Sequence, residues 1–156
     1  MGAFGLNGDL IPPTDHVSRW CKASQVDGDV IGYEAFLLQE KDTDDGLSVN
    51  WLEFLQCPDR VSEIAEIQRV LASKMRSVSK NSRIAVLCVE HALNALDERL
   101  NGRLKITTVH NPVSEEGVWD DPSHSSLFGL TRDSDADTAA VALRDVISEI
   151  HAAAVP

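Results

Sequence analysis

Residues 83–89 read Arg83-Ile84-Ala85-Val86-Leu87-Cys88-Val89, and residues 91–102 read His91-Ala92-Leu93-Asn94-Ala95-Leu96-Asp97-Glu98-Arg99-Leu100-Asn101-Gly102. The first segment is a strand-length apolar run, rich in β-branched residues and preceded by a polar loop, which is the pattern of a strand buried on both faces. The second places Ala92, Leu93, Ala95, Leu96 and Leu100 at helical spacing, and Asn101-Gly102 supplies a left-handed stop. A strand feeding a helix predicts a domain of mixed class.

Working upstream, Asp59 after Pro58 can cap a helix whose face carries Val61, Ile64, Ala65, Leu71 and Met75, widened by Ile67 and Val70 and fading near Ser77. Leu47-Ser48-Val49-Asn50-Trp51 alternates apolar and polar residues and predicts a short strand. Val30 to Gln39, after the turn-like Asp27-Gly28-Asp29, predicts another, with Glu40 to Gly46 as a solvated loop between them. Downstream, Arg103 to His110 alternates well enough for a strand. A long loop is then expected from Asn111 to Arg132. The last helix starts at Ser134 or Asp135, with an apolar face of Ala140, Leu143, Ile147, Ile150 and Ala154. Residues 1–14 carry three Gly and two Pro without periodicity and are read as a flexible N-terminal arm. Residues 15–156 are read as a single α+β domain, with a small mixed or antiparallel sheet of about four strands and helices packed on one face.

Bulk properties narrow the function classes. With 43% hydrophobic and 25% charged residues among 156, the chain can bury one core, which excludes a wholly disordered or collagen-like polymer. The apolar run from Ile84 to Val89 is far short of the roughly 20 residues of a membrane-spanning helix, and the N-terminus lacks a basic, then apolar, secretory signal. Cys21, Cys57 and Cys88 are odd in number and lack a Cys-x-x-Cys pair, which argues against a disulfide framework or a zinc knuckle and for a cytoplasmic setting. The net charge of −11 disfavours general nucleic-acid binding. Between Glu66 and Glu90, however, no acid occurs, while Arg69, Lys74, Arg76, Lys80 and Arg83 do. That window reads as a solvated helix end and its following loop.

Candidate chemistry concentrates in the long loop. Trp119-Asp120-Asp121-Pro122-Ser123-His124-Ser125-Ser126, with His110-Asn111-Pro112 at its entrance, gathers imidazole, carboxylate and hydroxyl groups. Asp120 or Asp121 could orient His124 as a general base for a serine. The competing interpretation is a loop tied down by side-chain to backbone hydrogen bonds. His110, His124 and Asp121 could be imagined around a metal, but no tight His-Glu-x-x-His or paired-cysteine signature occurs, so neither a metal nor a cofactor is expected. Phosphate-binding glycine loops and a Gly-x-Ser-x-Gly elbow are also missing from the sequence.

Two resemblances add expectations. His16-Val17-Ser18 and His124-Ser125-Ser126 resemble the paired His-x-Ser/Thr signature of two-histidine phosphoesterases. That resemblance implies acid and base roles for His16 and His124, with Ser18 and Ser126 holding a phosphate. The blocks His16-Val17-Ser18-Arg19-Trp20-Cys21, Leu47-Ser48-Val49-Asn50-Trp51-Leu52-Glu53 and Asp121-Pro122-Ser123-His124 resemble a group of uncharacterised bacterial cytoplasmic proteins. This second resemblance implies a single domain in which the Arg19, Asn50 and His124 regions meet. The primary functional expectation is a protein-interaction or regulatory module with a protein partner and no membrane, anchored by Trp20, Trp51 and Trp119. The alternative is a small phosphoesterase-like enzyme acting on a nucleotide or other phosphate-containing ligand through His16 and His124. Its binding groups are Arg19, Asn50, Trp51, Trp119, Asp121 and His110.

Overall fold

Hydrogen-bonded pairing makes the apolar run at Arg83–Cys88 the second strand of a six-stranded antiparallel sheet. The computed structural model describes residues 8–39, 46–115 and 119–155. The strands in chain order are β1 (His16–Cys21), β2 (Val26–Asp27), β3 (Val30–Ile31), β4 (Leu47–Trp51), β5 (Arg83–Cys88), β6 (Thr107–His110), β7 (Val113–Glu115), β8 (Trp119–Asp121), β9 (His124–Phe128) and β10 (Ile147–Ala152). The helices are α1 (Arg60–Lys74), α2 (Val89–Arg99) and α3 (Ala136–Asp145). The main sheet runs β10-β5-β1-β4-β9-β6, and β2-β3 and β7-β8 form separate hairpins.

The composition of β5 explains the layering. Ile84, Ala85, Val86 and Leu87 are all fully buried, and their alternation sends them to opposite faces. Ala85 and Leu87 pack with Val17, Leu47, Val49, Trp51 and Leu127 under α2, α3 and the short 3-10 turn at Tyr33–Phe36. Ile84 and Val86 pack with Ile64, Ile67 and Leu71 of α1, together with Leu52 and Ala153. Helices therefore cover both faces rather than one, because a strand apolar on both sides needs cover on both. The sheet also has six strands rather than about four.

Three strands of the main sheet, β1, β9 and β10, lie in segments for which the sequence pattern predicts no strand, while the strand expected at Val30–Gln39 stays outside that sheet. β9 occupies the middle of the expected loop at 111–132, and its Ser125 and Ser126 are buried without any apolar alternation to announce them. Their hydroxyls are satisfied locally: Ser125 Oγ donates to Ser123 O at 3.1 Å, and Asn111 Nδ2 donates to Ser126 Oγ at 3.2 Å. β10 takes Ile147 and Ile150 away from the expected terminal helix, which stops at Asp145. The spacing 140, 143, 147, 150 fits a helix, but beyond Val146 the chain pairs along the β5 edge. The Val30–Gln39 strand is reduced to β3 and the 3-10 turn, and the 103–110 strand to its last four residues.

Two local signals hold. The Asp59 side chain accepts from Ser62 N at 2.8 Å and caps α1, and Asn101 and Gly102 take positive φ of 52° and 71° at the end of α2. Val61, expected on the buried face of α1, is 77% exposed. Residues 8–14, expected in a flexible arm, run beside β6: Gly8 N donates to His110 O, Ile11 N donates to Thr108 O, and Ile11 is buried. Residues 1–7 of that arm and residues 40–45 of the solvated loop lie outside the described residues. No helix among the described residues is long and apolar enough to cross a membrane.

This packing sets two contrasting substitutions. Leu87→Ala should lower stability by roughly 2–5 kcal/mol, through lost burial and the cavity left behind. Val61→Ala should change it by no more than about 0.5 kcal/mol. Urea midpoints measure both, and an equal loss at the two positions would refute the rotational setting of α1.

Candidate functional site

β1 pairs with β5 over six positions but with β4 over only two, Val17↔Trp51 and Ser18↔Asn50. Beyond Ser18 the strands part, and a side chain replaces the missing ladder. Arg19 Nη1 donates to Ser48 O at 2.8 Å, and Arg19 Nε donates to Ala35 O at 2.8 Å. A cavity of about 620 Å³ opens at this split. Arg19, Lys22 and Lys74 bring positive charge to its lining, and Trp20, Leu71 and Met75 form an apolar wall. Ser48, Asn50 and His124 form the polar floor, and Gln25 and Gln39 also line the cavity.

The floor is fixed by cross-strand register. Asn50 pairs with His124, and Ser48 pairs with Ser126, so alternation places Ser48, Asn50 and His124 on one face. His124 reaches diagonally, which its length allows: Nε2 lies 3.1 Å from Ser48 Oγ, and Nδ1 lies 2.7 Å from Asn111 O. A carbonyl only accepts, so Nδ1 carries the hydrogen in that bond. In the neutral ring Nε2 then holds the lone pair and accepts from the Ser48 hydroxyl. Asn111 is itself clamped, because its backbone N–H donates to His124 O at 2.9 Å and its side chain holds Ser126.

Behind the floor lies a buried carboxylate. Asp121 is fully buried. Its Oδ1 accepts from Asn50 Nδ2 at 2.7 Å and from Ser123 Oγ at 3.4 Å, and its Oδ2 faces Lys74 Nζ at 3.6 Å. Asn50 gives its other amide hydrogen to Ser123 Oγ at 2.9 Å. A carboxylate withdrawn from water needs such partners, and here it fixes both Asn50 and the lysine on the cavity wall.

Among the expected site residues, Arg19, Asn50 and His124 line one cavity, and the blocks that carry them become neighbouring strands. Asp121 stands one layer behind. The others are placed elsewhere. His16 Nδ1 lies 2.7 Å from Glu53 Oε2, its backbone N–H donates to Glu53 Oε1 at 2.7 Å, and it does not line the cavity. The two histidines of the paired signature therefore do not meet in this cavity. Ser18 and Ser126 are buried in the sheet, at 2% exposure each. Trp51 faces the opposite core and donates from Nε1 to Asp15 Oδ2 at 2.8 Å. His110 is also buried there, its Nε2 2.7 Å from Pro122 O and its ring 4.6 Å from that of Phe54. Trp119 falls on β8, and its side chain lies outside the described residues.

Ser48 is the functional candidate that the sequence does not point to directly. Alternation within β4 sets it on the same face as Asn50, but its histidine comes from a strand 76 positions away. Lys74 sits in the acid-free window and lines the cavity, whereas Arg69 pairs with Glu66 and Arg83 with Asp29. Among the described residues no group of three or more His, Cys, Asp or Glu side chains is placed to hold a metal ion. The Cys21 thiol, raised to about 11 by burial, stays protonated at neutral pH. Family models, curated proteins and solved structures were compared with the chain, and none matches.

Removing the main donor to Asp121 tests the network. Asn50→Leu should destabilise the protein by roughly 1–3 kcal/mol, because Oδ1 keeps only the longer contact from Ser123. Adding Asp121→Asn should recover part of that loss. Wild-type stability of Asn50→Leu in chemical denaturation would refute the network.

Proposed function

We propose that the cavity at the sheet split binds a small phosphate-containing ligand. One observation carries this: in a chain of net charge −11, the described residues lining the cavity include Arg19, Lys22 and Lys74 and no Asp or Glu. Positive groups gathered in a concave, partly apolar site focus the local field and favour an anion even where the distant field is negative. The volume of about 620 Å³ suits a nucleotide-sized molecule rather than a polymer. Trp20, Leu71 and Met75 give the ligand's non-phosphate part an apolar wall. An interaction module anchored by tryptophans has less support, since Trp51 is only 4% exposed.

Calorimetric titration of the full chain with a nucleoside monophosphate, its parent nucleoside and inorganic phosphate tests this reading. The monophosphate should saturate one site and bind more tightly than the nucleoside, with affinity falling as salt rises. Lys22 is exposed, so Lys22→Glu should spare the fold while weakening the monophosphate at least about tenfold, the equivalent of about 1.4 kcal/mol. Equal affinity for nucleoside and nucleotide, or no response to Lys22→Glu, would overturn it.

A further inference from the structure

We infer that Ser48 and His124 form a nucleophile and base pair that hydrolyses a phosphate monoester in this cavity; the inference rests on the phosphate-binding role proposed above. The geometry points to it because the parts are already in sequence: the Ser48 hydroxyl donates to His124 Nε2 at 3.1 Å, and Nδ1–H donates to Asn111 O at 2.7 Å. That order fixes the tautomer in which Nε2 can take a proton. The orienting group is a backbone carbonyl, held in turn by the Asn111 N–H to His124 O bond. Ser48 is exposed rather than packed away, as an attacking oxygen must be.

The lining argues for phosphoryl transfer over acyl transfer. An acyl intermediate needs N–H donors aimed at a new oxyanion, and both amide hydrogens of Asn50 are committed to Asp121 and Ser123. A phosphoryl transition state is loose and spreads charge over three oxygens, so cations around it matter most. Arg19 and Lys74 bring that charge to the same cavity as Ser48.

In the first step Ser48 Oγ bonds to phosphorus and the bond to the leaving oxygen breaks on the opposite side. The hydroxyl proton moves to Nε2, and the departing alkoxide takes a proton from solvent. In the second step water bonds to the phosphorus of the phosphoserine and the Oγ–P bond breaks. Nε2–H returns its proton to Oγ, and the water's proton passes to solvent, replacing the one the alkoxide removed. The sum is monoester plus water giving alcohol plus inorganic phosphate, without redox change. The apolar wall at Trp20 and Met75 favours an aromatic or nucleoside alcohol.

The test uses the full chain with p-nitrophenyl phosphate, p-nitrophenyl acetate and a nucleoside monophosphate. Release of p-nitrophenol from the phosphate ester should fall at least about a hundredfold in Ser48→Ala, and comparably in His124→Gln, with melting temperatures recorded for both. Acid quench of the wild type should trap phosphate on the Ser48 peptide, seen by mass spectrometry. Three results would overturn the inference: turnover undiminished in Ser48→Ala, turnover of the acetate alone, or a nucleoside monophosphate that binds without being hydrolysed. The last would leave the binding site standing and remove only its chemistry, whereas absence of binding would remove both.

Discussion

Arg19 holds open the place where the sheet divides. Two backbone carbonyls, Ser48 O on β4 and Ala35 O in the 3-10 turn at Tyr33–Phe36, each take one hydrogen from the same guanidinium. Carbonyls without donors would be costly there. A planar, permanently charged fork can serve both while leaving positive charge at the cavity wall, which a lysine could do only with a single flexible point charge. Ending the β1–β4 ladder after two pairs therefore costs little hydrogen bonding, and the same side chain both closes the backbone and charges the site.

The face on which the floor lies changes character along a single row. Val86, Ser18, Asn50 and His124 are successive cross-strand partners from β5 through β1 and β4 to β9. At the β5 end the row is apolar and α1 seals it with Ile64, Ile67 and Leu71. At the β9 end it is polar, and hydrogen bonds rather than burial hold it together. α1 spans the transition: its apolar residues face Ile84 and Val86, while Lys74 in its last turn reaches Asp121. The helix that stabilises one half of the face thus delivers a cation to the other.

Legibility in the sequence follows this division. β5, the Asp59 cap and the Asn101-Gly102 stop were readable because burial and backbone geometry leave local marks at fixed spacing. β9 was not, since its serines are buried without apolar alternation and Ser126 is held by Asn111, a partner 15 positions away. β10 was misread because an apolar period of three and four residues suits a helix until an edge strand offers pairing. At the site, Arg19, Asn50 and His124 were legible as polar residues within distinctive blocks, and the cavity collects all three. Their roles were not, because His124 is coupled to a hydroxyl on another strand and to a carbonyl 13 positions back. His16 misleads for the same reason: its partner, Glu53, lies 37 positions away in a 3-10 turn at Glu53–Leu55.

The overall acidity and the cationic cavity are compatible because they act over different distances. At physiological salt, interactions between exposed charges fade beyond about 8 Å. A long polyanion laid across this surface would meet the excess of 25 acidic over 14 basic residues along most of its length. A ligand small enough to enter the split meets Arg19, Lys22 and Lys74 at close range, beside Trp20 and Met75 that displace water and weaken screening. On the function proposed above, the negative exterior would oppose the approach of polymers while the split admits small anions, so that size selection would follow from charge placement.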